Sequence, residues 1–210
     1  MASACSPVEA ATLAADKACY REGEPVSLTG GAFSPGGPVE LSRDGTPLAG
    51  PFTADPRGNL AASLPAPGAG TTGRRAFSIT ATARAAAGQS ATLTRLVSRF
   101  DVRLRPAAGR ASLIRRIDAL GFTAGGTLYA HVVRGRRRRT VRVGTLSGAC
   151  GNLSARKRLL RAAGRGTYRV QFDTRRRYSR RTVPRVTYRV PVSRRFLPSR
   201  SARGHTSTSG

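Results

Sequence analysis

Gly31-Ala-Phe-Ser-Pro-Gly-Gly-Pro-Val-Glu-Leu-Ser-Arg-Asp-Gly45 occurs twice in this chain, the second time loosened to Leu120-Gly-Phe-Thr-Ala-Gly-Gly-Thr-Leu-Tyr-Ala-His-Val-Val-Arg134. Phe33 matches Phe122, Gly36-Gly37 matches Gly125-Gly126, and Val39 and Leu41 match Leu128 and Ala130, all 89 positions apart. Each copy reads as an aromatic closing one strand, a small-residue turn, and an alternating strand leaving it. A repeat at this period implies two domains of one kind.

Working outward, Leu28 falls on Ile117 at the same spacing, whereas Gly73-Arg-Arg-Ala-Phe-Ser-Ile-Thr80 matches Gly166-Thr-Tyr-Arg-Val-Gln-Phe-Asp173 at a spacing of 93. The second copy therefore holds about four extra residues between its matched blocks, a loop-sized difference. At 210 residues the chain can form two domains of about 90 residues, each with its own core.

Few long straight-chain helix formers are present, and the apolar residues alternate. In Phe77-Ser-Ile-Thr-Ala-Thr-Ala83 the residues Phe77, Ile79, Ala81 and Ala83 face one way and Ser78, Thr80 and Thr82 the other. In the first half the pattern predicts strands at 12–15, 26–28, 39–42, 52–54, 60–64, 77–83 and 91–97. In the second it predicts them at 100–104, 113–119, 128–133, 140–145, 158–160, 167–173 and 185–192. Asp44-Gly45 is a hairpin signal. Seven strands with turn signals roughly every eight to twelve residues predict an all-β chain of two tandem immunoglobulin-like Greek-key β-sandwiches. Their bounds are 10–98 and 99–195, followed by a short disordered tail, 196–210, of small, polar and basic residues. No stretch approaches the roughly 20 apolar residues of a transmembrane helix.

Charge is strongly uneven. Of 37 Lys and Arg, 29 lie from Arg99 onward, together with three of the ten acids; the first half is nearly neutral. A high-GC genome would explain arginine in place of lysine but not this asymmetry, so the second domain reads as a selected basic surface.

Three cysteines give no disulfide framework. Cys5 and Cys19 are a possible disulfide, closing a loop worth at most about 3 kcal/mol, which would leave Cys150 alone. Ala2-Ser-Ala4 has the small-residue pattern that ends a secretory signal, with no charged and apolar leader before it. The expectation is an extracellular or wall-associated protein whose leader is absent from this chain.

The block Gly31 to Gly45, with Phe77-Ser-Ile-Thr-Ala81, resembles the bacterial immunoglobulin-like domains of the IPT/TIG sort found in secreted and cell-wall proteins of actinobacteria. The second half, with Leu128-Tyr-Ala-His131, Val143-Gly-Thr-Leu-Ser-Gly-Ala-Cys-Gly151 and Gly166-Thr-Tyr-Arg-Val-Gln-Phe-Asp173, resembles actinobacterial proteins of the same build. The resemblance covers residues 11 to about 195 and rests on turn and core positions. It implies a fold and is nearly silent on activity.

Candidate chemistry is sparse. Cys150 with His131 is the one pair suggesting a nucleophile and base, and Thr145-Leu-Ser-Gly-Ala-Cys150 superficially resembles the Thr-Leu-x-Thr-Cys of sortases. One residue too many precedes the cysteine and no threonine adjoins it, so Gly148-Ala-Cys-Gly151 reads as a tight turn with a half-buried thiol. Two histidines and scattered acids without Cys-x-x-Cys spacing support no metal site and no cofactor. The chain is read as no enzyme.

Alternation makes a sharper statement about the bases. Leu128, Ala130 and Val132 inward turn Tyr129 and His131 outward; Val141 and Val143 inward turn Arg142 outward. Tyr168, Val170 and Phe172 inward leave Arg169 and Gln171 outside, and Val186, Tyr188 and Val190 leave Arg185 and Arg189 outside. In an immunoglobulin-like sandwich these strands share one sheet, so Tyr129, His131, Arg142, Arg169, Arg185 and Arg189 would form one face, with Arg134, Arg136, Arg137, Arg138, Arg139 and Arg175 to Arg177 from the turns at its ends. Guanidinium forks and aromatics suit a polyanion. The reading is a non-enzymatic binding or structural module whose partner is an anionic cell-wall polymer such as teichoic acid, an acidic polysaccharide or an anionic membrane surface. Intracellular nucleic-acid binding is the alternative, and a cysteine transpeptidase a distant third.

Overall fold

A computed structural model describes residues 10–84 and 89–193, and the main chain of His205–Ser207. The Cα positions divide into two compact units, Met1–Ser98 and Arg99–Gly210. The described residues contain strands and no helix.

Unit 1 comprises β1 (Thr12–Ala15), β2 (Cys19–Arg21), β3 (Pro25–Gly31), β4 (Pro38–Arg43), β5 (Thr46–Pro47), β6 (Phe52–Thr53), β7 (Leu60–Pro65), β8 (Arg74–Ala83) and β9 (Ser90–Ser98). One sheet has the order β1-β3-β7 and the other β2-β9-β8-β4-β5, with β6 beside β4. The chain crosses between sheets after β1, β2, β3, β6 and β7, and β2 pairs parallel with β9. That order is an immunoglobulin-like Greek key. Its core is the inward phase of the strands: Val26 and Leu28, Val39 and Leu41, and Phe77, Ile79, Ala81 and Ala83 are all buried. Each large apolar side chain contributes about 1.5–3 kcal/mol by leaving water.

Unit 2 repeats the plan with β10 (Asp101–Arg105), β11 (Arg115–Leu120), β12 (Thr127–Arg134), β13 (Arg137–Thr145), β14 (Leu153–Lys157), β15 (Gly166–Asp173), β16 (Arg185–Val192) and β17 (His205–Ser207). Its sheets are β10-β11-β14 and β13-β12-β15-β16-β17. Gly109 makes a parallel bridge to Val192, the counterpart of β2 against β9. The core runs through Ile117, Phe122, Leu128, Val143, Phe172 and Tyr188.

The internal match has a physical basis. Phe33 and Phe122 are both buried, and each carbonyl is approached by a glycine in the left-handed region, Gly58 and Gly151. A Cβ at Gly58 would stand 2.4 Å from the Phe33 carbonyl oxygen, and one at Gly151 would stand 1.8 Å from that of Phe122. Residues with a side chain are excluded there. Three of the four extra residues of unit 2 lie in the β12–β13 hairpin, where Thr127 pairs with Thr145 across 17 residues against 14 between Pro38 and Thr53: β4 turns at Asp44-Gly45, six residues after its start, whereas β12 runs eight before Gly135-Arg136. Both arms are longer, and the added length carries the arginines.

One strand expectation fails, and the short strands β2 and β5 go unread. The strand predicted at 158–160 lies earlier, at Leu153–Lys157, because Leu159 and Leu160 are buried plugs of the core and not one face of a strand. The short strand β2 is absent from the sequence reading, since Cys19 and Tyr20 are both buried and show no alternation. Within the expected tail, 196–210, His205–Ser207 pair with β16 from Arg185↔Ser207 to Thr187↔His205; the other residues of the tail lie outside the described residues.

Candidate anion-binding site

Register places the candidate residues of the five-stranded sheet in rows. Tyr129 stands opposite Arg142 on β13 and Asp173 on β15; His131 stands opposite Thr140 and Gln171; Val133 stands opposite Arg138 and Arg169. Arg169 is in turn opposite Arg189. Arg142, Arg169 and Arg189 are exposed, and Tyr129 and Arg185 half-buried. The Arg185 guanidinium donates to the Thr182 carbonyl at 2.7 Å, and Arg142 to Thr145 Oγ1 at 3.2 Å.

The middle row corrects the sequence reading. His131 points to the outer side of its strand, as the alternation requires, yet it is 1% exposed, and Gln171 and Asp173 beside it are equally enclosed. The segment following β15 covers them. His131 Nε2 lies 3.0 Å from the Arg175 carbonyl oxygen and 3.2 Å from Asp173 Oδ1. A carbonyl can only accept, so Nε2 carries a proton, and Nδ1 pairs with the Thr140 hydroxyl at 2.9 Å. Gln171 Nε2 donates to Asp173 Oδ2 at 2.6 Å and to the Ser179 carbonyl at 2.8 Å. The Arg175 amide donates to Asp173 Oδ1 at 2.8 Å.

Three buried side chains therefore fix the main chain of a flap, residues 174–184, that displays Arg175, Arg176, Arg177, Arg180 and Arg181 to solvent. Arg138 stacks over Tyr178 of this flap at 5.2 Å from the ring centre. The expected continuous face of Tyr129, His131 and the arginines is thus divided, with Arg142 and Tyr129 in one row and Arg169 and Arg189 in another. Sequence reasoning missed the flap. Its one signal is that on β15 the outward positions after Arg169 pass to Gln171 and Asp173 in place of further arginines.

The hairpin arginines take two directions. Arg138 shares the outer side with Thr140 and Arg142, whereas Arg137 and Arg139 stand opposite Arg134 and Val132 on the inner side. There they overhang a groove of ≈ 690 Å³ between the β12–β13 hairpin and the loop Leu159–Gly164. Arg139 Nη1 donates to the Arg161 carbonyl at 2.9 Å. Arg134 lies over the Tyr168 ring at 5.3 Å and donates to its hydroxyl at 3.1 Å; that hydroxyl donates to the Gly164 carbonyl at 3.0 Å. On the other side of the same loop a second groove of ≈ 620 Å³ is lined by Arg110, Arg158, Arg161 and Arg165. Among the described residues, no carboxylate lines either groove.

The acids of unit 2 are engaged elsewhere. Asp101 pairs with Arg103 at 3.6 Å and Asp118 with Arg116 at 3.0 Å. Burial opposes ionisation of Asp118, but hydrogen bonds from Ser154 and Arg116 outweigh it and hold the carboxyl below its usual range. Asp173 is enclosed beneath the flap.

Gly148-Ala-Cys-Gly151 forms the tight turn expected of it, with Gly151 N donating to Gly148 O at 3.0 Å. The half-buried thiol is corrected: Cys150 is 1% exposed, and Cys19 and Cys150 are both disulfide-bonded. No thiolate nucleophile exists at Cys150 in this state. Cys5 lies outside the described residues, as does the Cys5–Cys19 pairing. Among the described residues no group of three or more His, Cys, Asp or Glu is placed to hold a metal ion.

No protein-family model matches the chain, and no curated protein matches it in sequence. Among solved structures it is similar to a protein from Corynebacterium diphtheriae described as membrane-anchored, at 11% identity and a TM-score of 0.39, covering 95% of this chain and 62% of that one. It is also similar to the ectodomain of the teleost fish polymeric Ig receptor, at 11% identity and TM-score 0.33, covering 87% of this chain and 98% of that one. A Ca2+-stabilized adhesin of an Antarctic bacterium that binds ice is similar at 16% identity and TM-score 0.36, covering 89% of this chain and 50% of that one. Nothing about ligand or partner follows from likeness at this level.

Proposed function

We propose that the chain is a non-enzymatic, extracellular or wall-associated module whose second unit holds an anionic polymer. The observation that carries this is the number and placement of charges: 29 bases against three acids from Arg99 onward, with each of those acids already paired or enclosed. Guanidinium groups spread over a flap, a hairpin and two grooves create a positive field that concentrates polyanions. The disulfide-bonded state of Cys19 and Cys150 supports an oxidising compartment outside the cell over the cytosol. It therefore favours a wall polymer over intracellular nucleic acid. The turn and core resemblance to IPT/TIG-like domains of secreted actinobacterial proteins agrees with that location.

The test is a salt titration with the full chain and an unbranched glycerol phosphate polymer. Binding should weaken linearly in log–log form with added salt, as counterion release requires. Absence of binding at low salt, or an affinity that salt leaves unchanged, disproves the reading.

A further inference from the structure

We propose that the loop Leu159–Gly164 is the saddle of a track that takes one extended strand of a polyol phosphate, a phosphodiester polymer without bases. This rests on the reading of unit 2 as a polyanion binder and assigns the element that reads the ligand.

The two grooves share Arg161, Ala162, Ala163 and Gly164. They therefore lie on either side of one loop, and the loop's crest is what separates them. That crest is built of the smallest side chains available: Ala162 and Gly164 are exposed and Ala163 half-buried. On one side Arg134, Arg137 and Arg139 rise from the hairpin; on the other stand Arg158 and Arg165. A strand crossing the crest meets guanidinium groups before, at and after it, and no carboxylate among the lining residues.

The crest is held in its shape. Ala162 adopts φ +65°, a conformation that residues with a Cβ rarely take. Ala163 N donates back to Leu160 O at 2.8 Å, and the buried Leu159 and Leu160 anchor the loop in the core. The hydrogen bond from Arg139 to the Arg161 carbonyl ties the crest to the opposite wall. Such a strained, anchored turn with an open top is arranged for close approach by another chain.

The chemistry of the lining selects the ligand class. Proteins that hold single-stranded nucleic acid offer aromatic faces for the bases. Here the lining aromatic is Tyr168, which is buried and covered by Arg134. Guanidinium forks pair with phosphate oxygens two at a time, and closely spaced forks call for closely spaced charges. A polyol phosphate has both the charge density and a backbone slim enough to pass a saddle of Ala and Gly.

Three full-length variants test this by the salt slope for a glycerol phosphate polymer. Arg137, Arg139 and Arg161 replaced together by Ser should flatten the log–log slope by about three units, one for each phosphate no longer neutralised. Arg142, Arg169 and Arg189 replaced by Ser should leave most of it. Ala162→Asp, compared with Ala162→Asn, adds a charge at a position where both residues tolerate positive φ, and should flatten the slope by about one unit with unchanged thermal unfolding. If the wild type binds but Ala162→Asp and Ala162→Asn bind alike, or the sheet-face variant loses as much slope as the groove variant, the track is refuted while the polyanion reading stands. If wild type fails to bind, both fall. Tighter binding of duplex DNA or of hyaluronan than of the polyol phosphate at equal salt overturns the ligand class.

Discussion

His131 of β12 holds the main chain of Arg175, 44 positions later, through an Nε2 to carbonyl hydrogen bond of 3.0 Å. A buried imidazole thus determines where an exposed run of arginines sits, and its ring is itself fixed by Thr140 on one side and Asp173 on the other. The charge of the flap and the polar cluster beneath it are one construction.

Replacing His131 by Ala should cost unit 2 about 1–3 kcal/mol, because Asp173 and the Arg175 carbonyl both lose their shared donor beneath the flap. Amide hydrogen exchange at residues 175–179 should lose protection more than at β11 or β16. Uniform loss of protection across the unit would mean that the flap is not held separately.

Gly151→Ala should destabilise unit 2 by well over about 1 kcal/mol, since the added methyl meets the Phe122 carbonyl as well as an unfavourable φ. Gly148→Ala is the comparison: its φ is +69° but nothing lies within 4 Å of the new Cβ, so it should cost about 1 kcal/mol. Urea midpoints for the two variants give the difference directly.

The alternation was legible because it reports which side of a strand a residue occupies, and Phe77 to Ala83 behaves as written. Phase says nothing of what covers that side. His131 and Gln171 point outward and are buried nonetheless, because the flap that encloses them begins only at Thr174. The saddle loop was hidden for a related reason: Leu159 and Leu160 look like a strand until both are found plugging the core. Turn glycines such as Gly36-Gly37 and Gly125-Gly126 announce themselves, but the use of Gly58 and Gly151 depends on the approach of a carbonyl far away in sequence.

In unit 1, burial first and the hydrogen bond to Asp16 second push the Tyr20 phenol up to about 12. The same bond, 2.7 Å long, holds Asp16 below its usual range. The raised phenol contributes stability in full below about pH 10 and loses it as pH climbs toward 12; the lowered carboxyl contributes above about pH 4 and loses it in more acid solution. Tyr20→Phe should therefore fall furthest below wild type between those limits. Urea midpoints at about pH 3, 7 and 11 check this; a constant gap across all three would contradict it.

Arg115 is fully enclosed, and burial lowers its pKa. Its guanidinium donates to the carbonyls of Leu113 and Arg110 at 3.2 and 3.4 Å, while Nε has no hydrogen-bond partner. A buried charge served this poorly contributes little net stability. Arg115→Met should change unfolding free energy by less than about 1 kcal/mol, or raise it. A loss of about 3 kcal/mol or more would show that the two carbonyl hydrogen bonds carry the loop before β11.

The pairing of β17 along β16 bears on how copies of this molecule meet one another. An open strand is a template on which another chain can continue the sheet. In unit 2 one rim, β13, bristles with arginine that repels its like, and the opposite rim is occupied at Arg185 to Thr187 by the chain's own residues 205–207. Lateral growth of the sheet is discouraged on both sides. Many copies of the module can therefore stay a collection of separate molecules and not fuse into fibres.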